Sequence, residues 1–377
     1  MSKTDIRDSL KTKRRIVIKI GSALLAQSGE GILRKRISEY CRQVSQLIDD
    51  GHEFLIVTSG AVAAGLGRLG IKNRPTKVNE LQAIAAIGQM QLMQAYEEEI
   101  SELGHISSMI LLTHEDFSDR TRYLNARATL TRLLDLRAIP LINENDTVAT
   151  DEIRFGDNDT LSALVTNLVE ADLQIILTDV DGLMSKDPNV HSDAERIGQA
   201  SADDQSLELL SSDRTSDLGR GGMLSKVKAA RLASRSGADT IIASGKVRDV
   251  LIRVLAGEDL GTYLMAENKS LKSRKRWIAD QLKPAGKIMI DSGAAKAILQ
   301  GGASLLAVGV VSVSGEFERG DLIECCDEEG AVVAQGLVNY SSSDIEKLKG
   351  LNSDNYLSRI DHMYENELVH CDNLVLI

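Results

Sequence analysis

Through the first 250 residues, short apolar runs alternate with longer stretches in which apolar residues recur every three or four positions. The runs Ile16-Val17-Ile18, Phe54-Leu55-Ile56-Val57 and, after Gln174, Ile175-Ile176-Leu177 are continuously apolar, as expected of strands covered on both faces. Strands are predicted at 15–20, 53–58, 107–113, 139–143, 173–178 and 240–243, and amphipathic helices at 34–49, 80–103, 122–136, 161–169 and 225–236. This alternation predicts right-handed βαβ units. The fold class is α/β, an open, mostly parallel sheet sandwiched between helices.

After Gly261 the pattern changes. Ser273-Arg274-Lys275-Arg276-Trp277 is a basic connector leading to Pro284, and beyond it short strands are predicted at 286–290, 304–306, 308–313, 321–325 and 331–338. The chain therefore divides into a larger α/β domain at 13–268, a linker at 269–283 and a smaller, mostly β domain at 284–372. The first dozen residues are polar and are expected to be disordered.

Length and composition are consistent with this division. A chain of 377 residues accommodates two domains. A hydrophobic content of 43% with only 3% aromatics implies aliphatic cores. The net charge of −11 argues against nonspecific binding to nucleic acid or an anionic membrane. From Pro284 onward fifteen Asp/Glu face six Lys/Arg, a net of −9, so the acidity belongs to the small domain. The four cysteines form no C-x-x-C pair, and adjacent Cys325 and Cys326 would point to opposite faces of a strand. With no signal-peptide pattern, a reducing cytoplasmic setting is expected. No apolar run approaches the ~20 residues that span a bilayer, and the six histidines show no metal-ligand spacing.

Candidate chemistry gathers where strands end. Lys19-Ile20-Gly21-Ser22, Thr58-Ser59-Gly60, Asn143-Glu144-Asn145-Asp146, Thr178-Asp179 and Ser244-Gly245 each close a predicted strand. Ligands of open α/β sheets bind outside the carboxyl ends of the strands, so these clusters should share one edge. Gly219-Arg220-Gly221-Gly222-Met223-Leu224-Ser225-Lys226 leads into a helix, and backbone N–H groups of such a loop can converge on phosphate oxygens. Either this loop or Lys19 alone could be an ordinary connector or a solvated strand end. Together, Lys19 and Lys226 suggest two ammonium groups flanking a transferred phosphoryl group. One such contact at about 4 Å is worth roughly 4 kcal/mol at an effective dielectric near 20.

Ser59-Gly60 opens a helix and is read equally well as an N-cap or as a carboxylate site. Gly156-Asp157-Asn158-Asp159, with Asn143 to Asp146, could bind an α-amino group or hold Mg²⁺ through water. Gly65-Leu66-Gly67-Arg68-Leu69-Gly70 matches the dinucleotide pattern G-x-G-x-x-G, but a helical pattern has already begun at Ala61. These glycines are therefore expected to end a short helix instead.

The series Val-Ile-Lys-Ile-Gly-Ser, Val-Thr-Ser-Gly-Ala, Leu-Asn-Ala-Arg, Ile-Asn-Glu-Asn-Asp, Gly-Asp-Asn-Asp, Leu-Thr-Asp-Val-Asp-Gly-Leu and Gly-Gly-Met-x-x-Lys resembles the glutamate 5-kinase family of the amino-acid kinase superfamily. The resemblance runs from about Arg14 to Trp277, and 284–377 resembles a PUA module. It implies ATP-dependent phosphorylation of the L-glutamate side chain at the entry to proline synthesis, with ATP and Mg²⁺ as cofactors. By motif, Lys19 and Lys226 resemble the phosphate-contacting lysines. Thr178, Asp179, Arg220, Gly221, Gly222, Met223, Leu224, Ser225 and Lys226 resemble the nucleotide site, and Ser59, Asp146 and Asn158 the glutamate site.

Asp157 and Asp159 resemble the acidic pair that organises the lysines or the metal, and the motif does not say which does which. Arg220 and Leu224 depart from the usual small or hydroxyl residues of the phosphate loop. The resemblance further implies feedback inhibition by proline and a homo-dimer or tetramer. The rival readings are a kinase for another acidic amino acid, an RNA-binding PUA protein, which the acidic C-terminal domain disfavours, and a non-catalytic regulatory subunit.

Overall fold

In the computed structural model, the described residues are 7–27, 31–149, 158–186, 191, 193–211, 222–267, 284–300 and 303–376. The predicted linker, 269–283, lies outside them. The chain forms two units, Met1–Glu115 with Arg127–Lys269 and Asp116–Ala126 with Ser270–Ile377. No feature of the sequence anticipated that Asp116–Ala126 would group with the C-terminal unit.

The strands of the first unit are, in chain order, β1 (Arg15–Ile20), β2 (Ala26–Gln27), β3 (Gly31–Ile32), β4 (Glu53–Val57), β5 (Ile106–Leu112), β6 (Ala138–Glu144), β7 (Leu173–Thr178), β8 (Gln199–Ser201), β9 (Asp239–Ser244) and β10 (Thr262–Met265). β2 and β3 form a small hairpin. The others make one sheet in the order β5-β6-β4-β1-β7-β9-β10-β8. The pairings from β5 to β9 are all parallel, and β10 runs antiparallel to β9.

The reversal at β10 departs from the uniform βαβ pattern. Its connection from β9 passes through the short helix Val250–Leu255 and returns at Gly261, whose φ of +64° favours glycine. A Cβ there would lie 2.2 Å from the Ile242 carbonyl oxygen. Only glycine lets the chain turn back this closely.

Continuous apolar strands arise because both sheet faces are covered. Leu173, Ile175 and Leu177 of β7 join the core built with helices Arg34–Asp49 and Val78–Glu102. Ile176 faces the opposite core, formed with Val227 and Ala230 of helix Met223–Ser234. The strand period of two thus feeds two separate cores.

Contrary to the expected disorder, residues 7–12 are built into the unit. Leu10 is fully buried in a short 3₁₀ turn, Ser9–Thr12. The Arg7 guanidinium donates to the carbonyls of Glu258 (2.8 Å), Leu260 (3.0 Å) and Gly198 (2.9 Å).

The second unit contains β11 (Gly286–Ile290), β12 (Val310–Gly315), β13 (Leu322–Cys326), β14 (Val332–Leu337) and β15 (Leu374–Leu376), ordered β12-β11-β13-β14-β15. The predicted strand at 304–306 is reduced to a single bridge between Leu305 and Val369. Helices Ser292–Leu299 and Ser342–Leu348 were not anticipated. Asp291 and Ser341 cap them by accepting from the N–H groups of Ala294 and Asp344.

Candidate active site

β6, β4, β1, β7 and β9 are consecutive neighbours and mutually parallel, so their five polar carboxyl ends share one edge of the sheet. β1 lies between β4 and β7, where the winding changes direction. A crevice forms outside the strand ends at such a point. Lys19, one residue before the end of β1, stands there.

Lys19 Nζ lies 2.8 Å from Asp159 Oδ1, and Lys226 Nζ lies 3.0 Å from Asp159 Oδ2. Ser225 Oγ lies 2.7 Å from the same Oδ2 and 2.8 Å from the Gly222 carbonyl, and its one hydrogen can serve either. The lysine side chains are 8% and 6% exposed and that of Asp159 1%, so water screens none of these charges well. Burial alone would push the Asp159 carboxyl up. The Lys19 and Lys226 ammonium groups, with hydrogen bonds from Lys19 and Ser225, outweigh it and hold the group well below the usual carboxylate range.

Two packed helices deliver these groups. Asp159 sits in the first turn of Asn158–Leu168, where the helix dipole favours an anion. Lys226 sits near the start of Met223–Ser234, where the dipole disfavours a cation. That local conflict is resolved by the aspartate opposite. Gly21 N–H donates to the Leu177 carbonyl at 3.2 Å, and a Cβ at Gly21 would lie 3.8 Å from Lys19 Nζ. Glycine therefore keeps the space beside the ammonium open.

Asn158 faces a second cluster. Its Nδ2 lies 2.6 Å from the Thr58 carbonyl, 2.9 Å from Asn143 Oδ1 and 3.0 Å from Ser59 Oγ, which share its two hydrogens. Asn143 Nδ2 in turn donates to Gln89 Oε1 at 2.7 Å. Gly60, with φ of +105°, lets the chain turn from Ser59 directly into helix Ala61–Leu69. Asp146 is half-buried in the turn after β6, three residues beyond Asn143.

On the other side of β1, the Thr178 hydroxyl donates to Asp179 Oδ1 at 3.3 Å, and the Thr178 carbonyl accepts from Gly245 N–H at 2.8 Å. Tyr40, on helix Arg34–Asp49, donates its hydroxyl to the Gly245 carbonyl at 2.9 Å, clamping the end of β9. Met223 packs its side chain into the core with Val227 and Leu183, which leaves its backbone as the part that could meet a ligand. Leu224 is half-buried. Asp157, Arg220 and Gly221 lie outside the described residues.

The structure thus joins Lys19, Asp159, Ser225 and Lys226 in one cluster and Ser59 and Asn158 in another. Gln89 and the role of Asn143 were missed by sequence reasoning. Gln89 occupies the core-facing stripe of its helix with Leu81, Ile84, Ala85, Gly88, Leu92 and Met93. A polar residue on that stripe was the available signal. The glycines at 65–70 prove to be a packing device, with Gly65 and Gly67 inside the helix and only Gly70 ending it. A Cβ on Gly65 would lie 2.0 Å from the Ile84 carbonyl oxygen, and one on Gly88 1.8 Å from that of Ala61. The two helices meet backbone to backbone.

A wound sheet whose switch point holds two lysines on one buried aspartate is suited to phosphoryl transfer. Residues 14–244 match the amino acid kinase family and residues 286–359 the PUA domain. The chain is 51% identical over 373 residues to the glutamate 5-kinase of Marinomonas sp. (strain MWYL1), covering 99% of this chain and 100% of that one. It is 52% identical over 368 residues to the glutamate 5-kinase of Nitrosospira multiformis, with 98% and 99% coverage. With the glutamate 5-kinase of Chromohalobacter salexigens it shares 50% over 376 residues, with 100% and 99% coverage. The chain belongs to the glutamate 5-kinases within the amino acid kinase family.

Proposed function

We propose that the protein transfers the γ-phosphoryl group of ATP to the γ-carboxylate of L-glutamate, forming L-glutamyl 5-phosphate at the first step of proline biosynthesis. The observation that carries this reading is the pairing of two subsites on adjacent residues. Asp159 holds the two lysines, and Asn158 holds Ser59 and the end of β6.

Bound ATP supplies the phosphoryl group and its leaving ADP. A glutamate γ-carboxylate is ionised at pH 7, so one of its oxygens can bond to phosphorus, as the bond to the bridging oxygen breaks, without a general base. The protein's task is alignment and charge neutralisation. Each ammonium carries three N–H donors, so holding Asp159 does not prevent Lys19 or Lys226 from meeting phosphate oxygens. Gly222 gives the helix Met223–Ser234 no side-chain cap, and its backbone suits an anion approaching the helix start. Thr178, Asp179, Arg220, Gly221, Met223, Leu224 and Ser225 complete the nucleotide side in this reading, and Ser59, Asp146 and Asn158 the glutamate side.

Both Asp159 oxygens are already engaged by ammonium groups. Mg²⁺ therefore belongs with the nucleotide phosphates, and Asp159 is the residue that organises the lysines. Proline as a feedback inhibitor, a homo-oligomeric state and a cytoplasmic setting belong to the same proposal.

The test is ADP release with a panel of acceptors in the presence of Mg²⁺-ATP. L-glutamate should be preferred, and preference for N-acetylglutamate or aspartate would overturn the assignment. Lys226→Ala should reduce turnover by about 10²–10³, the scale of losing one transition-state donor.

A further inference from the structure

Gln89 is far from the lysine cluster in sequence and is not among the residues that the family motifs mark. The residue is 9% exposed. Its Oε1 accepts from Asn143 Nδ2 at 2.7 Å, while its Nε2 is buried with no hydrogen-bond partner among the described residues. Only the acceptor half of this amide is used.

That asymmetry has a direction. The Thr58 carbonyl can only accept, so it pins the Asn158 carboxamide with Nδ2 inward. Asn158 Nδ2 then requires an acceptor from Asn143, and Asn143 presents Oδ1 at 2.9 Å. This turns the Asn143 Nδ2 toward the core, where a buried N–H₂ without a partner would be costly. Gln89 Oε1 meets that need. With its two N–H hydrogens shared among these acceptors, the Asn158 amide presents Oδ1 at its opposite end.

We infer that Gln89 is a positioning residue that sets affinity for the α-ammonium of the acceptor amino acid, acting through Asn143 and Asn158. The inference rests on the proposed reading only in placing an amino acid at Asn158. Removing the acceptor at Gln89 leaves Asn143 free to rotate its amide. It would then present N–H₂ to Asn158, and the oxygen that faces a cationic amino group would lose its alignment. Gly88 reinforces this, because the close approach of its helix to Ala61 brings Gln89 within reach of β6.

The experiment compares Gln89→Met, which keeps the volume but removes the acceptor, with Gln89→Glu, which retains an acceptor oxygen. Steady-state kinetics are measured with L-glutamate and with glutarate, the same diacid lacking the α-amino group. Gln89→Met should raise KM for glutamate about tenfold, the scale of a lost hydrogen bond to a charged group. KM for ATP should stay within about twofold. The preference for glutamate over glutarate in kcat/KM should shrink by about the same tenfold factor, and Gln89→Glu should restore most of it. An unchanged glutamate-to-glutarate ratio in Gln89→Met overturns the inference, as does a parallel rise of both KM values that Gln89→Glu does not reverse. Failure of the wild-type protein to use glutamate would overturn the assigned reaction instead. The same variants, assayed with the amino acid it does use and its deaminated counterpart, would still decide the role of Gln89.

Discussion

Replacing Asp159 by asparagine removes the carboxylate that, among the described residues, lies within 3.0 Å of two buried ammonium groups. Breaking a buried ion pair by deleting one partner costs about 3–5 kcal/mol. Here the carboxylate has two partners, at 2.8 and 3.0 Å, with all three side chains under a tenth exposed. The loss should therefore fall near the upper end, at about 5 kcal/mol. In a unit of this size each kcal/mol moves the melting temperature by about 2–4 °C, so Asp159→Asn should melt about 10–20 °C lower. Lys226→Met makes the contrast, because it leaves the Lys19–Asp159 pair intact and locally neutral. It should cost about 1–3 kcal/mol, an ordinary value for a buried polar change.

The assay is thermal unfolding of the full chain with and without saturating ATP. A polyphosphate supplies the anion that the variant lacks, so ATP should raise the melting temperature of Asp159→Asn by more than that of the wild type. If Asp159→Asn melts within about 3 °C of wild type, or if Lys226→Met is the less stable of the two, Asp159 is not the anchor of the site.

Gly88→Ala should be destabilising by more than the 1–3 kcal/mol of ordinary overpacking, because the added carbon meets the Ala61 backbone rather than a movable side chain. It should also raise KM for the amino-acid substrate, and a neutral effect on both would refute the helix-contact argument. Asp239 provides a pH test. Burial would raise its carboxyl, but Lys13 at 2.8 Å, the Ala266 N–H and the Tyr263 hydroxyl hold it below the usual range. A depressed folded value means stability that is present above the unfolded pKa of about 3.9 and lost as pH falls toward the folded one. Urea midpoints measured from pH 6 to 3 should fall more steeply for wild type than for Asp239→Asn, and parallel curves would remove Asp239 as a contributor.

The central parallel strands were legible because their signal is local and strong. Arg15–Ile20 and Leu173–Thr178 are apolar over most of their length, with Lys19 next to the end of the first and Thr178 at the end of the second. β10 and β8 were not legible. Each is four residues or fewer, and the reversal at Gly261 depends on a tertiary approach to β9 that no periodicity encodes. The same division applies to the site. Lys19, Lys226 and Asp159 stand in motifs rich in glycine or acid, where residue type alone suggests chemistry. Gln89 stands in a long apolar helix, and its partner is 54 residues away. A polar side chain whose value lies in orienting another amide leaves only a gap in a hydrophobic stripe. Arg7 was misread for a related reason, since a charged residue that caps four backbone carbonyls looks in sequence like any solvated tail.

Asn158 and Asp159 are consecutive residues in one helical turn, yet one is bonded to the ends of β4 and β6 and the other to the two lysines. A tilt or slide of that helix cannot retune one without disturbing the other. Divergence toward new acceptors would therefore have to leave this turn untouched and work through the surrounding strand termini. Such a constraint couples the two clusters through one helix start, so a change at either has to be matched at the other.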